Sequence, residues 1–119
     1  MNDKRKIYVV AKGLHSWDLA AEYGELIFLS TAPIGRTGIS NMTRLFAPVL
    51  ANSQPDDYIL ITGLSVMCSI ACTLFALRHK RLNLMMFDAA SEKYIKRSII
   101  LDDLSQVEQE INEVTRYTP

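Results

Sequence analysis

The chain has no surplus of either charge: thirteen basic residues balance thirteen acidic ones over 119 positions. Binding along a phosphate backbone draws on a basic surplus, so nucleic acid is not an expected partner. Cysteine is scarce, with only Cys68 and Cys72. Four apart on one apolar helical segment, they share a face, a spacing poor for a disulfide and incomplete for a metal. They read as small buried hydrophobes in a reduced cytoplasm. No secretory leader is expected, because the apolar run after the charged start is too short. The sequence also lacks Gly-x-Gly-x-x-Gly, a P-loop lysine and a Gly-x-Ser-x-Gly elbow. No His, Cys, Asp and Glu cluster has metal-ligand spacing. No catalytic residue, metal or cofactor is therefore assigned, and the reading leans away from an enzyme.

What is present is a strong alternation of apolar runs and breaks between Asp56 and Asp88. Asp-Asp-Tyr-Ile-Leu-Ile stops at Thr62-Gly63. An apolar segment of helix formers follows, then the basic Arg78-His79-Lys80-Arg81, then Leu-Asn-Leu-Met-Met-Phe-Asp. This is the pattern of a strand, a crossover helix and a parallel strand, each apolar because most of its sides are covered. The twenty uncharged residues from Tyr58 to Leu77 are long enough to span a bilayer. The break at Thr62-Gly63, the polar Ser65, Ser69 and Thr73, and a second apolar run four residues later argue for a sheet protein instead.

The remaining segments extend the pattern. Lys6–Ala11 and Glu25–Ser30 read as strands, joined by a short helix over His15–Tyr23 with Ser16 as N-cap and Gly24 as a left-handed terminator. A loop over Thr31–Ser40 carries Pro33, Gly35 and Gly38 and leads to a helix over Asn41–Ala51, kinked by Pro48. Tyr94–Leu101 alternates as an antiparallel edge strand. Asp102 and Asp103 then open a last helix, with Gln106 completing a capping box. The order β-α-β-α-β-α-β-β-α gives a single α/β domain over residues 1–119. It is a small three-layer sandwich, mostly parallel, with an antiparallel edge hairpin and a C-terminal helix. Ile59, Ile61, Ile70, Leu74, Leu84 and Met86 are the expected core.

Open parallel sheets bind ligands beyond the carboxyl ends of their strands, at the point where strand order reverses. A 2-1-3 order brings His15 to that edge from one side and Thr62, Gly63 and Ser65 from the other. Thr31 and Arg36 belong to the overhanging loop, and Asp88 ends the next strand. These seven residues form the candidate ligand site. Gly63 allows backbone approach, and Ser65 would cap a helix whose free N–H groups face an anion.

The stretches Lys-Ile-Tyr-Val-Val, Tyr-Gly-Glu-Leu-Ile-Phe-Leu and Asp-Asp-Tyr-Ile-Leu-Ile-Thr-Gly resemble small uncharacterised phage-encoded proteins of Rossmann-like type. The resemblance implies an accessory or host-takeover role and carries over no functional residue. Two functions follow. The first is an interaction protein that binds and inhibits or modulates a larger host complex. The alternative is a module that sequesters a nucleotide-like anionic small molecule at the sheet edge. Charge is uneven: residues 102–119 hold five acids and one base, residues 1–101 eight acids and twelve bases. The last helix also carries a narrow apolar stripe of Leu104, Val107, Ile111 and Val114. That seam suits self-association or a partner protein.

Overall fold

A computed structural model describes residues 5–12, 16–30 and 38–116, with side chains followed to residue 112. Among the described residues the elements run β1 (Lys6–Val9), α1 (Asp18–Ala21), β2 (Glu25–Phe28), α2 (Ile39–Leu50), β3 (Tyr58–Leu60), α3 (Ser65–His79), β4 (Arg81–Asp88), β5 (Lys93–Ile100) and α4 (Leu101–Arg116). The strands form one sheet in the order β2-β1-β3-β4-β5. The first four are parallel, and β5 runs antiparallel to β4. The protein is thus an α/β fold with a mostly parallel sheet, an antiparallel edge and a C-terminal helix. Among the described residues, no helix is long and apolar enough to cross a membrane.

Strand alternation divides the core between the two faces of the sheet. On one face Tyr8, Val10 and Ile59 pack against Met42, Phe46 and Leu50 of α2 and Cys68, Ala71 and Phe75 of α3. On the other, Ile7, Val9, Leu60 and Met85 pack with Ala20 of the short α1. One expectation shifts by a residue here. Met85 is fully buried, while Leu84 and Met86 are half-buried. Met85 lies on the opposite face of β4, with the cluster around Ala20, whereas Leu84 and Met86 sit half-buried on the α3 side. Ile59 lies in the core as expected, whereas Ile61, Ile70 and Leu74 pack half-buried at its margin.

Several local readings are also corrected. The N-cap of α1 is Trp17, not Ser16, and no side chain caps it. Gly24 is not in the left-handed region. It is small because a Cβ there would collide with the Arg5 carbonyl oxygen, which accepts the Glu25 N–H at 3.0 Å. The helix α2 is one element from Ile39 to Leu50 with Pro48 inside it, so it does not end early at the proline. Both Pro48 and Arg44 are exposed, so water can take the bond that the Arg44 carbonyl loses. The helix α4 starts at Leu101 with no loop after β5, so Asp103 and Gln106 lie inside it and do not cap it.

A buried polar cluster ties the lower edge of the sheet. The Asp57 carboxylate accepts the N–H of Lys6 at 2.9 Å and of Gln54 at 2.8 Å. Asn83 donates through Nδ2 to the carbonyls of Pro55 at 2.7 Å and Asp57 at 2.8 Å. Its Oδ1 accepts from Arg81 Nε and from Ser98 Oγ. Nearby, the Ser53 hydroxyl donates to the Leu50 carbonyl at 2.6 Å and accepts from His79 Nε2 at 2.7 Å, the direction the network requires. Lys80 closes α3 in the left-handed conformation, φ 57°.

Two stability measurements follow. Phe75 is fully buried, so Phe75→Ala is expected to cost about 3–5 kcal/mol in urea unfolding. Leu74→Ala, at the half-exposed margin, should cost less than half of that; equal losses would place the centre of the core elsewhere. His79 supplies the second. Burial, and next the Arg78 charge, lower its pKa from the ordinary 6.5. The folded state then binds fewer protons than the unfolded one. This stabilisation is full above the unfolded pKa and is lost as pH falls through the folded one. Stability should decline from about pH 7 to 5, and His79→Gln should flatten that slope.

Candidate functional site

The β1/β3 switch point opens into a cleft of about 430 Å³. Ser16, Trp17, Asp18 and Leu19 form one wall, and Leu60, Ile61, Thr62 and Gly63 form the end of β3. Phe87 of β4 and Tyr94 of β5 close the third side. Among the described residues, α1 is only four residues long and covers little of the face beside the cleft.

Short-range bonds shape the floor. The Leu64 N–H donates to Thr62 Oγ1 at 3.2 Å, and the Thr62 N–H points to Cys68 Sγ at 3.4 Å. Cys68 is buried and its thiol lies 3.8 Å from the Thr62 carbonyl. It therefore serves the turn that presents Thr62 and Gly63. A Cβ on Gly63 would meet nothing within 4 Å. The chain's own packing does not demand glycine there, and the space above it is open. Cys72 is half-buried; burial, and then Cys68, raise its pKa to about 11, so its thiol stays protonated at neutral pH.

Aromatic rings build the wall and the sheet face beside it. Trp17 donates from Nε1 to the Lys12 carbonyl at 2.8 Å and meets Phe28 edge-on, centroids 6.1 Å apart. The register sets Tyr94 opposite Phe87, centroids 5.3 Å apart, and Tyr23 meets Tyr94 at 5.6 Å. Lys96 Nζ lies 5.4 Å from the Tyr23 centroid and 5.2 Å from that of Tyr58. Burial, and next Tyr23, raise the Tyr94 pKa. Phe87 is 48 % exposed, a large apolar ring held in place at the mouth.

Of the seven candidate ligand residues, Thr62 and Gly63 share the cleft. Ser65 does not cap α3, whose N-cap is Leu64 without a side-chain bond. It lies on the groove between α2 and α3, and its carbonyl accepts from Ser69 Oγ. Asp88 is absent from the lining and acts in the β4–β5 turn, accepting from Ser91 Oγ at 2.7 Å. That bond is the first cause of its lowered pKa. His15, Thr31 and Arg36 lie outside the described residues. Trp17, Leu19, Phe87 and Tyr94 are additions to the sequence reading. The alternation of β5 carried a signal for Tyr94, but pairing it with Phe87 needed the hairpin register.

The interface candidates Leu104, Val107 and Ile111 each expose half or more of their surface. The side chain of Val114 lies outside the described ones. Every described side chain of α4 after Leu101 is exposed, and the helix makes no extensive contact with any other element. Among the described residues, no three His, Cys, Asp or Glu side chains come together as a metal group.

Residues 5–101 match a family described as phage Pam3 gp32-like protein. The chain belongs to this phage Pam3 gp32-like family. The match covers the whole sheet with α1 to α3 and stops at the first residue of α4. No curated protein and no solved structure matches the chain. In this family member the cleft thus lies within the matched body, and α4 lies beyond it.

The turn at the cleft floor gives a direct check. Thr62→Val removes the acceptor for the Leu64 N–H and should cost about 1 kcal/mol. Amide exchange at Leu64 should speed up selectively. Unchanged exchange there would show that the hydroxyl does not hold the turn.

Proposed function

We propose that this chain is a phage accessory protein that binds a larger host protein complex in the cytoplasm and inhibits or modulates it. The observation that carries this reading is the aromatic wall of the cleft. Trp17, Phe87 and Tyr94 surround an open depression beside Leu19, itself half exposed. Fixed aromatic rings around a depression are the common anchors of protein interfaces, because they bury much area at little entropic cost. The phage family is in keeping with an accessory role. The strand order β2-β1-β3-β4 supports the Rossmann-like reading of the sheet, with the cleft at its reversal point.

One observation favours a second reading, a nucleotide-like anionic ligand: the open space above Gly63 at that reversal point. Against it, the charged residue among the described lining is Asp18, which repels anions. Gly63→Val separates the two readings. It should leave stability unchanged in either case and should abolish calorimetric binding of nucleoside phosphates only under the second.

The test of the main reading uses the full chain, tagged and expressed in the host. The wild type should retain a defined host complex, and Phe87→Ser should retain at least about ten-fold less. The purified complex should lose activity on adding the wild type and keep it on adding the variant. Equal retention by both proteins, or no effect on activity, would overturn the proposal.

A further inference from the structure

The helices α2 and α3 leave an apolar groove of about 540 Å³ on their outer side, lined by Ile39, Val66, Ile70, Leu74 and Leu77. Ile39, Val66 and Leu77 are each more than half exposed. Three of the four hydroxyls along it are turned inward on their own helices. Thr43 donates to the Ile39 carbonyl, Ser69 to that of Ser65 and Thr73 to that of Ser69, at 2.8 to 2.9 Å. The groove therefore presents mainly methyl and methylene groups. It continues past Leu74 and Leu77 to Arg78 at the C-terminal end of α3.

The α4 helix has matching properties. Its exposed stripe from Leu104 to Ile111 spans about 10 Å, and the groove from Val66 to Leu77 about 16 Å, at 1.5 Å per residue. Charge is complementary. The groove helices carry Arg44, Arg78 and His79 and no acid. From Leu101 to Arg116, α4 carries Asp102, Asp103, Glu108, Glu110 and Glu113 against one base, Arg116.

We propose that α4 of one copy lies in the α2–α3 groove of a second copy, and reciprocally, forming a two-fold dimer. The chain's own groove is out of reach. No linker separates β5 from α4, and the Leu101 N–H donates to the Lys80 carbonyl at 3.2 Å, so α4 is rooted at the C-terminal end of its own α3. Folding back would break that root and the first helical turn. A two-fold axis beside the two α3 C-termini removes the problem. Each α4 then enters the partner's groove at its Arg78 end and runs antiparallel to the partner's α3. Asp102 and Asp103 meet Arg78, and Leu104 and Val107 follow into the apolar part. The reading is independent of the host-binding cleft, which lies on the other face of the sheet.

The test is mass in solution by light scattering on the full chain. The wild type should have twice the chain mass at micromolar concentration. Val107→Glu in α4 and Leu77→Glu in the groove should each give a monomer with unchanged circular dichroism. Mixing the two variants should restore a dimer, because one intact α4 still meets one intact groove. Arg78→Glu should weaken the dimer about ten-fold, and adding Asp103→Arg should recover it. A monomeric wild type, a dimer that survives either glutamate variant, or a mixture that stays monomeric would overturn the proposal. Host capture is read separately through Phe87→Ser, so either idea can fail alone.

Discussion

The fold depends on a buried carboxylate and a buried amide at the lower edge of the sheet. Asp57 and Asn83 are nearly inaccessible, and each is fully engaged. Between them they join the start of β1, the turn before β3, the start of β4 and, through Ser98, the end of β5. Parallel pairing alone leaves register free to slip where both faces are apolar. A buried polar group does not tolerate a slip, because an unmatched N–H or carboxylate costs about 1–3 kcal/mol or more. Among the described residues no buried side-chain nitrogen or oxygen is left without a partner. Register is thus fixed at one edge, and the other edge is free to carry the cleft.

Unequal cover of the sheet does the rest. Two long helices close one face, with α2 and α3 packed on each other as well as on the strands. Among the described residues, the other face receives only the single turn of α1. Side chains complete the cover there. Tyr23, Tyr58, Tyr94 and Phe87 spread over the exposed part, and Lys96 lies between two of the rings. The cleft and its aromatic wall thus go with a short helix, and its rings are held by their neighbours. Binding to such a surface costs little side-chain entropy.

The α4 helix follows a different rule. It leaves the edge strand without a loop, and its direction is inherited from β5. The molecule extends 55 Å along its longest axis and 33 Å across the others, with a radius of gyration of 16.5 Å. A compact chain of this length has about 13–14 Å. An exposed amphipathic helix draws little of its stability from packing, so the apolar stripe of α4 is the part of the chain that its own fold covers least among the described residues.

Local patterning settled much of this protein. The apolar runs of β1 and β3 are buried on both faces, and such elements announce themselves by composition, whereas the equally apolar α3 buries one face and leaves Val66 and Leu77 exposed. The break at Thr62-Gly63 marked the turn at the cleft, and the stripe of α4 marked an open seam. Tertiary structure decided what depends on distant neighbours. The buried residue of β4 was set by what packs on each face: Met85 lies with the cluster around Ala20, whereas Leu84 and Met86 sit half-buried on the α3 side. The small size of Gly24 answers to a carbonyl at Arg5, across the start of the β1–β2 pair. Ser65 went to the groove because helix phase, not its place after the strand, aims a side chain. Phe87 and Tyr94 became one wall only through antiparallel register. Sequence carries the period of each element, whereas contacts between elements follow from packing, and the site is made of those contacts.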